Sequence, residues 1–219
     1  MTDLVLAVDT THEHGSISLS DGETLLEERE IHAPDGFGQV LFGEIETLLA
    51  NHRVTLRDCQ LFAGAAGPGS FTGVRIALTC VKGLAEVLGR PVIGVSNLEA
   101  LAAFGHRPQR AAIVDARKGE VYAAVYGPQP TGETVVNLAS FLEELARETE
   151  LISQDFAKLP APPELLSRFL QTTAPRALAA AMARIALQNW RAGAACDPLT
   201  VDANYIRRPE AEVLYRPPV

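Results

Sequence analysis

The chain has 219 residues, of which 47% are hydrophobic and 21% charged, and a formal net charge of -8. That length fits one large domain or two small lobes with a full core. The excess of carboxylates repels phosphate backbones, which makes the chain by itself a poor candidate for gripping nucleic acid.

The opening apolar run, residues 4–8, precedes Asp9, Thr10 and Thr11, the pattern of a buried strand entering a polar loop. Residues 16–20 alternate polar and apolar side chains, and Asp21-Gly22 is a hairpin signal. A third strand over 23–30 completes a meander. Breakers at 34–38 lead into a helix over 39–51, predicted from the spacing of Leu41, Ile45 and Leu48. A small-residue strand at 61–65 runs into a loop, Gly67-Pro68-Gly69-Ser70-Phe71-Thr72-Gly73. A long helix follows from 71 or 72 to 88, closed by Gly89. After a strand at 91–95, Ser96-Asn97-Leu98-Glu99 has the capping-box pattern of a short helix reaching about 104.

The second half opens with a hairpin, 111–115 and 120–126, around Arg117-Lys118-Gly119. A proline-rich break at 127–131 precedes a second capping box, Ser140-Phe141-Leu142-Glu143, and a helix to about 148. A short strand is expected at 151–153. Pro163 opens a helix to 170, Pro175 opens an alanine-rich one to 191, and 198–219 reads as an extended tail. A meander followed by alternating helix and strand predicts mixed sheets flanked by helices.

Two loops carry groups suited to chemistry. Asp9, Thr10 and Thr11 can position a metal-bound phosphate, or simply cap the hairpin as a polar turn. In the second loop, Gly67 and Gly69 allow close backbone approach, and Ser70 stands where a helix N-terminus offers free amides. The same residues equally make a tight strand-to-helix turn. The loop is not a P-loop, because Val74 and Arg75 follow Gly73 where lysine and a hydroxyl residue are required. The charged tip Asp115, Arg117, Lys118 and Glu120 reads as a solvated turn. His12 and His14 lack an evident third ligand, and all five histidines read as surface or loop residues. Cys59, Cys80 and Cys196 are widely spaced, with no CxxC pair, and their odd count argues against a disulfide framework. No metal is therefore expected. Residues 4–8 are too short for a signal core or a membrane span, so a cytoplasmic protein is expected.

Two helices carry more apolar surface than one sheet needs. Around helix 39–51 the apolar residues cover an arc of roughly 200°. In helix 72–88, Arg75, Thr79, Lys82 and Glu86 fall within a stripe of about 60°. Beside its main apolar face stands a second row, Ile76, Cys80, Gly83 and Val87. A helix on one sheet needs an apolar stripe of about 100°. The surplus is covered either by a neighbour in the same lobe or by another chain.

The string from Gly67 to Arg75 resembles the signature of the TsaB family, also called YeaZ-like and formerly grouped with glycoprotease-like proteins. Leu6-Ala7-Val8-Asp9-Thr10-Thr11, Val92-Ile93-Gly94-Val95-Ser96-Asn97-Leu98 and Asp115-Ala116-Arg117-Lys118-Gly119-Glu120-Val121-Tyr122 match in the same order, and Tyr205-Ile206-Arg207 more weakly. The resemblance implies an α/β fold of the actin-like ATPase superfamily with two RNase H-like lobes. The lobes are expected at 1–107, which carries the partner-binding helices, and at 108–219, smaller and degenerate. It further implies a scaffold that catalyses nothing itself. Such a scaffold pairs with a catalytic paralogue, TsaD, and with the ATPase TsaE, and forms a homodimer when alone. The complex adds threonylcarbamoyl to the tRNA adenosine beside the anticodon, so tRNA is met only through the complex.

On this resemblance the partner interface comprises Leu41, Ile45, Ile76, Cys80, Gly83 and Val87. Asp9, Thr10, Thr11, Gly67, Gly69 and Ser70 are vestiges of nucleotide loops. No cofactor is required, and weak ATP or ADP binding is the residual alternative. The catalytic relative holds its metal through histidines four apart on a helix, and this sequence has no HxxxH. It also has Gly36-Phe37-Gly38-Gln39 where family members carry histidine and a small hydroxyl residue. The competing functions are an autonomous ATP-dependent kinase or ATPase of the same superfold, and a metalloprotease.

Overall fold

The computed structural model describes residues 3–194 and 197–207; Cys196 and the tail beyond 207 lie outside the described residues. Ten strands form two five-stranded sheets. The first sheet is built from β1 (Leu4–Asp9), β2 (His14–Asp21), β3 (Thr24–His32), β4 (Leu61–Gly67) and β5 (Val92–Ser96), in the order β3-β2-β1-β4-β5. The second contains β6 (Arg110–Arg117), β7 (Glu120–Tyr126), β8 (Thr134–Asn137), β9 (Glu150–Ser153) and β10 (Leu170–Thr173), in the order β10-β9-β6-β7-β8. Each sheet is an antiparallel meander extended by two parallel strands on its first strand. The two topologies are therefore the same, and the expected pair of RNase H-like lobes is the observed architecture.

Among the described residues six α-helices accompany the sheets: α1 (Leu41–Asn51), α2 (Phe71–Leu88), α3 (Asn97–Ala102), α4 (Leu138–Glu144), α5 (Pro163–Leu166) and α6 (Ala179–Arg191). None among the described residues is long and apolar enough to cross a membrane. Register separates the faces of the first sheet. Ile17 and Gly64 both pair with Val8, so all three point one way. A side chain on Gly15 would strike Phe37 ahead of α1, and one on Gly64 would strike Val81 of α2. The α1–α2 layer therefore covers this face.

The opposite face carries Ser16, Ser18 and Ser20. Alternation with Ile17 and Leu19 suggests that the serines meet water, yet all three are buried. The alanine-rich α6 lies over them, since small side chains on both surfaces allow close approach. The sheet also caps this helix. Ser16 Oγ accepts from the Leu178 and Ala179 amides at 3.0 Å, and Glu28 Oε1 accepts from the Ala180 amide at 2.7 Å. A carboxylate is favoured there by the positive end of the helix dipole. The division at 107/108 separates the two sheets, but α6, which follows β10, packs on β1, β2, β4 and β5. In turn α3, which follows β5, packs against β6 and β7.

The second lobe departs from its predicted elements. β8 was not anticipated, because four residues carry too little periodicity. α4 begins earlier than the Ser140 box, with Asn137 as its cap: Asn137 Oδ1 accepts from the Ser140 amide at 3.2 Å. The helix opened by Pro163 lasts one turn, and Leu170 belongs to β10. α6 starts at Ala179, four residues after Pro175.

Candidate functional site

Two concave surfaces meet at the N-terminus of α2. One is an apolar groove between α1 and α2, with a volume of about 530 Å³. Leu41, Phe42, Phe71, Ile76, Cys80, Gly83 and Leu84 line it. Phe42 on α1 is 61% exposed, and Val87, one turn beyond Gly83 on α2, is 84% exposed. Exposed aromatic and branched side chains this close together are unusual without a covering partner. Gly83 has no atom within 4 Å of where a side chain would start, so a second helix can approach closely there. Cys80 is buried on the groove floor, and burial pushes its thiol up to about 12.

The groove divides the predicted interface residues. Ile76, Gly83 and Val87 are reachable from outside. Leu41 and Ile45 are buried on the inward row of α1, 1% and 2% exposed, and of the two only Leu41 reaches the groove wall. The wide apolar arc of α1 arises because this helix faces both the sheet and the groove. Phe42 belongs to the groove and was not singled out. Its position beside Leu41, off the inward row, is the signal that marks it.

The second surface is a cleft of about 900 Å³ between the lobes. Thr10, Thr11, Gly69, Ser70 and Gly73 line one wall, and Asp115, Arg117, Tyr122 and Arg207 line the other. The proposed nucleotide loops come together here, but they bind each other. Asp9 Oδ1 accepts from the Thr11 amide at 2.9 Å and from its hydroxyl at 2.6 Å. Thr10 Oγ1 donates to the Gly73 carbonyl at 2.7 Å, and the Ser70 amide donates to the Thr11 carbonyl at 2.8 Å. Ser70 Oγ caps α2 by accepting from the Gly73 amide at 3.3 Å. A side chain on Gly73 would start 2.0 Å from the Thr10 carbonyl oxygen, and one on Gly69 would start 2.7 Å from Thr11 Cβ. These glycines are thus required for contact between two loops of the same chain. Gly67 has φ +97 and gives its amide to Asn97 Oδ1 at 3.1 Å.

The segment 201–207 straps the lobes. The Val201 carbonyl accepts from Lys82 Nζ at 2.6 Å, and Tyr205 stacks on Phe71 with ring centroids 5.5 Å apart. The Arg75 guanidinium lies 3.8 Å from the Phe71 ring centre and donates to Tyr205 Oη at 3.1 Å. Arg207 pairs with Glu120 and donates to the Ala116 carbonyl at the hairpin tip. Glu133 joins Ser96, Tyr126 and Asn204. The polar stripe of α2 therefore holds the strap, a role that only the weak Tyr205-Ile206-Arg207 match hinted at. His32, distant in sequence, also converges with the adjacent Glu13 and His14, which line the cleft.

The family model described as TsaD, tRNA N6-adenosine threonylcarbamoyltransferase, matches residues 33–188, more than two thirds of the chain. A protein of Escherichia coli (strain K12) called "tRNA threonylcarbamoyladenosine biosynthesis protein TsaB" is 36% identical over 132 residues, 58% of this chain and 57% of that protein. A Bacillus subtilis (strain 168) protein of the same name is 34% identical over 149 residues, 64% of this chain and 65% of that one. A Pseudomonas aeruginosa crystal structure, described as an uncharacterized protein with similarity to peptidase YEAZ, superposes with TM-score 0.78 at 27% identity. That match covers 94% of this chain and 100% of the other. The chain belongs to the TsaB family. The matched stretches span somewhat over half of the two curated relatives' own length. The strings quoted from 67–75, 92–98 and 115–122 lie within the residues that the family model matches, and 6–11 lies before them.

Proposed function

We propose that this chain is a scaffold in tRNA threonylcarbamoyladenosine formation, catalysing nothing itself and pairing with a TsaD-like transferase through the α1–α2 groove. The observation that carries this reading is the exposed apolar groove lined by Phe42, Ile76 and Gly83, with the exposed Val87 one turn further along α2. The family model that matches the chain is that of a transferase, so the occupant suggested here is a related protein with a similar first lobe. Pairing would bury the groove, which shares Phe71, Thr72 and Ile76 with the cleft. The acidic net charge supports contact with tRNA through the complex only. A TsaE-like ATPase is the further partner in this reading, with a homodimer on the same groove when the chain is alone. Its location would be cytoplasmic, and the lobes would divide at 107/108 apart from the exchanged helices.

The loops of the cleft support the absence of turnover, because their donors and acceptors are spent on one another. Reconstitution of tRNA modification with purified transferase, ATPase and tRNA tests the proposal. The chain alone should give no product, and adding it to the other components should restore product. Product from the chain alone, or full activity without it, would defeat the reading. The kinase or ATPase alternative draws on the size of the cleft. Calorimetry with magnesium-ATP decides it, since an autonomous enzyme must bind nucleotide at millimolar concentration.

A further inference from the structure

We propose that Glu13, His14 and His32 form a site for one divalent transition-metal ion of the zinc class, at the rim of the inter-lobe cleft. His14 and His32 are direct cross-strand partners on β2 and β3. Opposed residues of this kind place their side chains on one face, within reach of a common ligand. Glu13 precedes β2, and its carboxylate Oε1 lies 3.1 Å from His32 Nε2. One donor atom from each of the three residues lies within 4.8 Å of the others. Two imidazoles and a carboxylate suit zinc, with a fourth position left to water.

The surroundings of His14 favour a ligand role. Arg176 Nη1 approaches His14 Nε2 at 3.4 Å. A guanidinium can only donate, so Nε2 carries the lone pair and Nδ1 the proton. Nδ1 is buried and lies 3.0 Å from Glu30 Oε1, but out of line for a hydrogen bond, so it counts as unsatisfied. A metal-bound histidine commonly turns its other nitrogen to a carboxylate, which fixes the ring and raises its basicity. Glu30 stands where that partner is needed, and a small rotation of the ring would align the pair.

The present rings are not yet arranged for coordination. They stack with centroids 4.4 Å apart and planes 9° from parallel. A metal lies in the plane of each imidazole that binds it, so two parallel rings cannot share one. Donors around a tetrahedral zinc are roughly 3.3 Å apart. Closing from the present spacing needs a turn of His32 and Glu13, whose side chains are 52% and 66% exposed and free to swing. The ion would also replace Arg176 on His14. The competing description is a plain histidine stack that pairs the two strands.

The test titrates zinc chloride into the metal-free full chain, carrying Cys196→Ser so that this thiol does not compete. Calorimetry gives stoichiometry and affinity. Cobalt substitution reports geometry by its visible absorption. One equivalent should bind, with a tetrahedral cobalt spectrum. His14→Ala and His32→Ala should each weaken binding at least about tenfold. Glu13→Gln should weaken it less, and His106→Ala should leave it unchanged. Circular dichroism confirms that each variant is folded. Absence of a defined equivalent overturns the proposal, as does equal binding by folded His14→Ala or His32→Ala.

Discussion

The side-chain amide of Asn97 donates to Thr11 Oγ1 at 2.7 Å, joining the start of α3 to the loop after β1. Its oxygen accepts from the Gly67 amide at 3.1 Å, so one fully buried side chain ties together both loops of the cleft wall. Asn97→Ala leaves the Gly67 amide unsatisfied and removes a partner of Thr11. A loss of about 1–3 kcal/mol is expected, read from urea unfolding of the isolated chain. No loss would mean that water replaces the amide in full.

Core and groove residues of the same helix pair should separate cleanly. Ile45→Ala, on the inward row of α1, is expected to cost about 2–5 kcal/mol through the cavity it leaves. Val87→Lys and Phe42→Glu should change stability by no more than about 0.5 kcal/mol, since both side chains are exposed. Each new charge also suits the dipole at its own helix end. Both should nonetheless weaken association with the transferase, or of the chain with itself, by light scattering. Undiminished association would remove the groove as the docking face.

Two glycines of α2 predict opposite outcomes. A side chain at Gly73 would overlap the Thr10 carbonyl, whereas nothing stands near Gly83. Gly73→Ala should prevent normal folding or destabilise severely. Gly83→Ala should stabilise the isolated chain by about 0.5–1 kcal/mol, through helix propensity. It should also impair pairing, because the added methyl fills the place where a second helix approaches. Paired measurements of melting temperature and association decide both points.

Glu150 provides a pH signature. Burial opposes its ionisation, but the Thr172 hydroxyl and the Arg107 and His106 amides outweigh that, and its carboxyl is held below the usual range. The His106 and Arg107 amides each donate to Oε2 at 2.7 Å. A depressed carboxyl stabilises the fold at pH above its unfolded value of 4.5, and this stability is lost as pH falls through the lower folded value. Glu150→Gln should therefore destabilise near neutrality. The difference from the parent chain should shrink on acidification below that range. A gap independent of pH would show that packing, not charge, sets the effect.

The first lobe was legible because its signals are long and redundant. Ser70 and Gly89 bracket eighteen residues of α2 as their types predict, and Ser96 caps α3. The second lobe relies on four-residue strands and a one-turn helix, whose periods are too short to read. There the sequence pointed to Ser140 as the cap, whereas Asn137 caps the helix and Leu138, Phe141 and Leu142 pack in the core of the second lobe. The site was legible as motifs but not as contacts. That the Asp9 and Gly67 loops consume each other's hydrogen bonds follows from a parallel pairing of β1 and β4 that no local pattern encodes. The meeting of Glu13, His14 and His32 likewise depends on strand register.

The exchange of α3 and α6 between the sheets bears on how the chain is made. During synthesis the ribosome releases all five strands of the first sheet long before the helix that roofs Ser16, Ser18 and Ser20. The nascent sheet must wait with one side open until Arg191, the last residue of α6, has emerged. Neither half can mature as an independent module, and damage late in the message would leave an early, otherwise intact sheet exposed to aggregation.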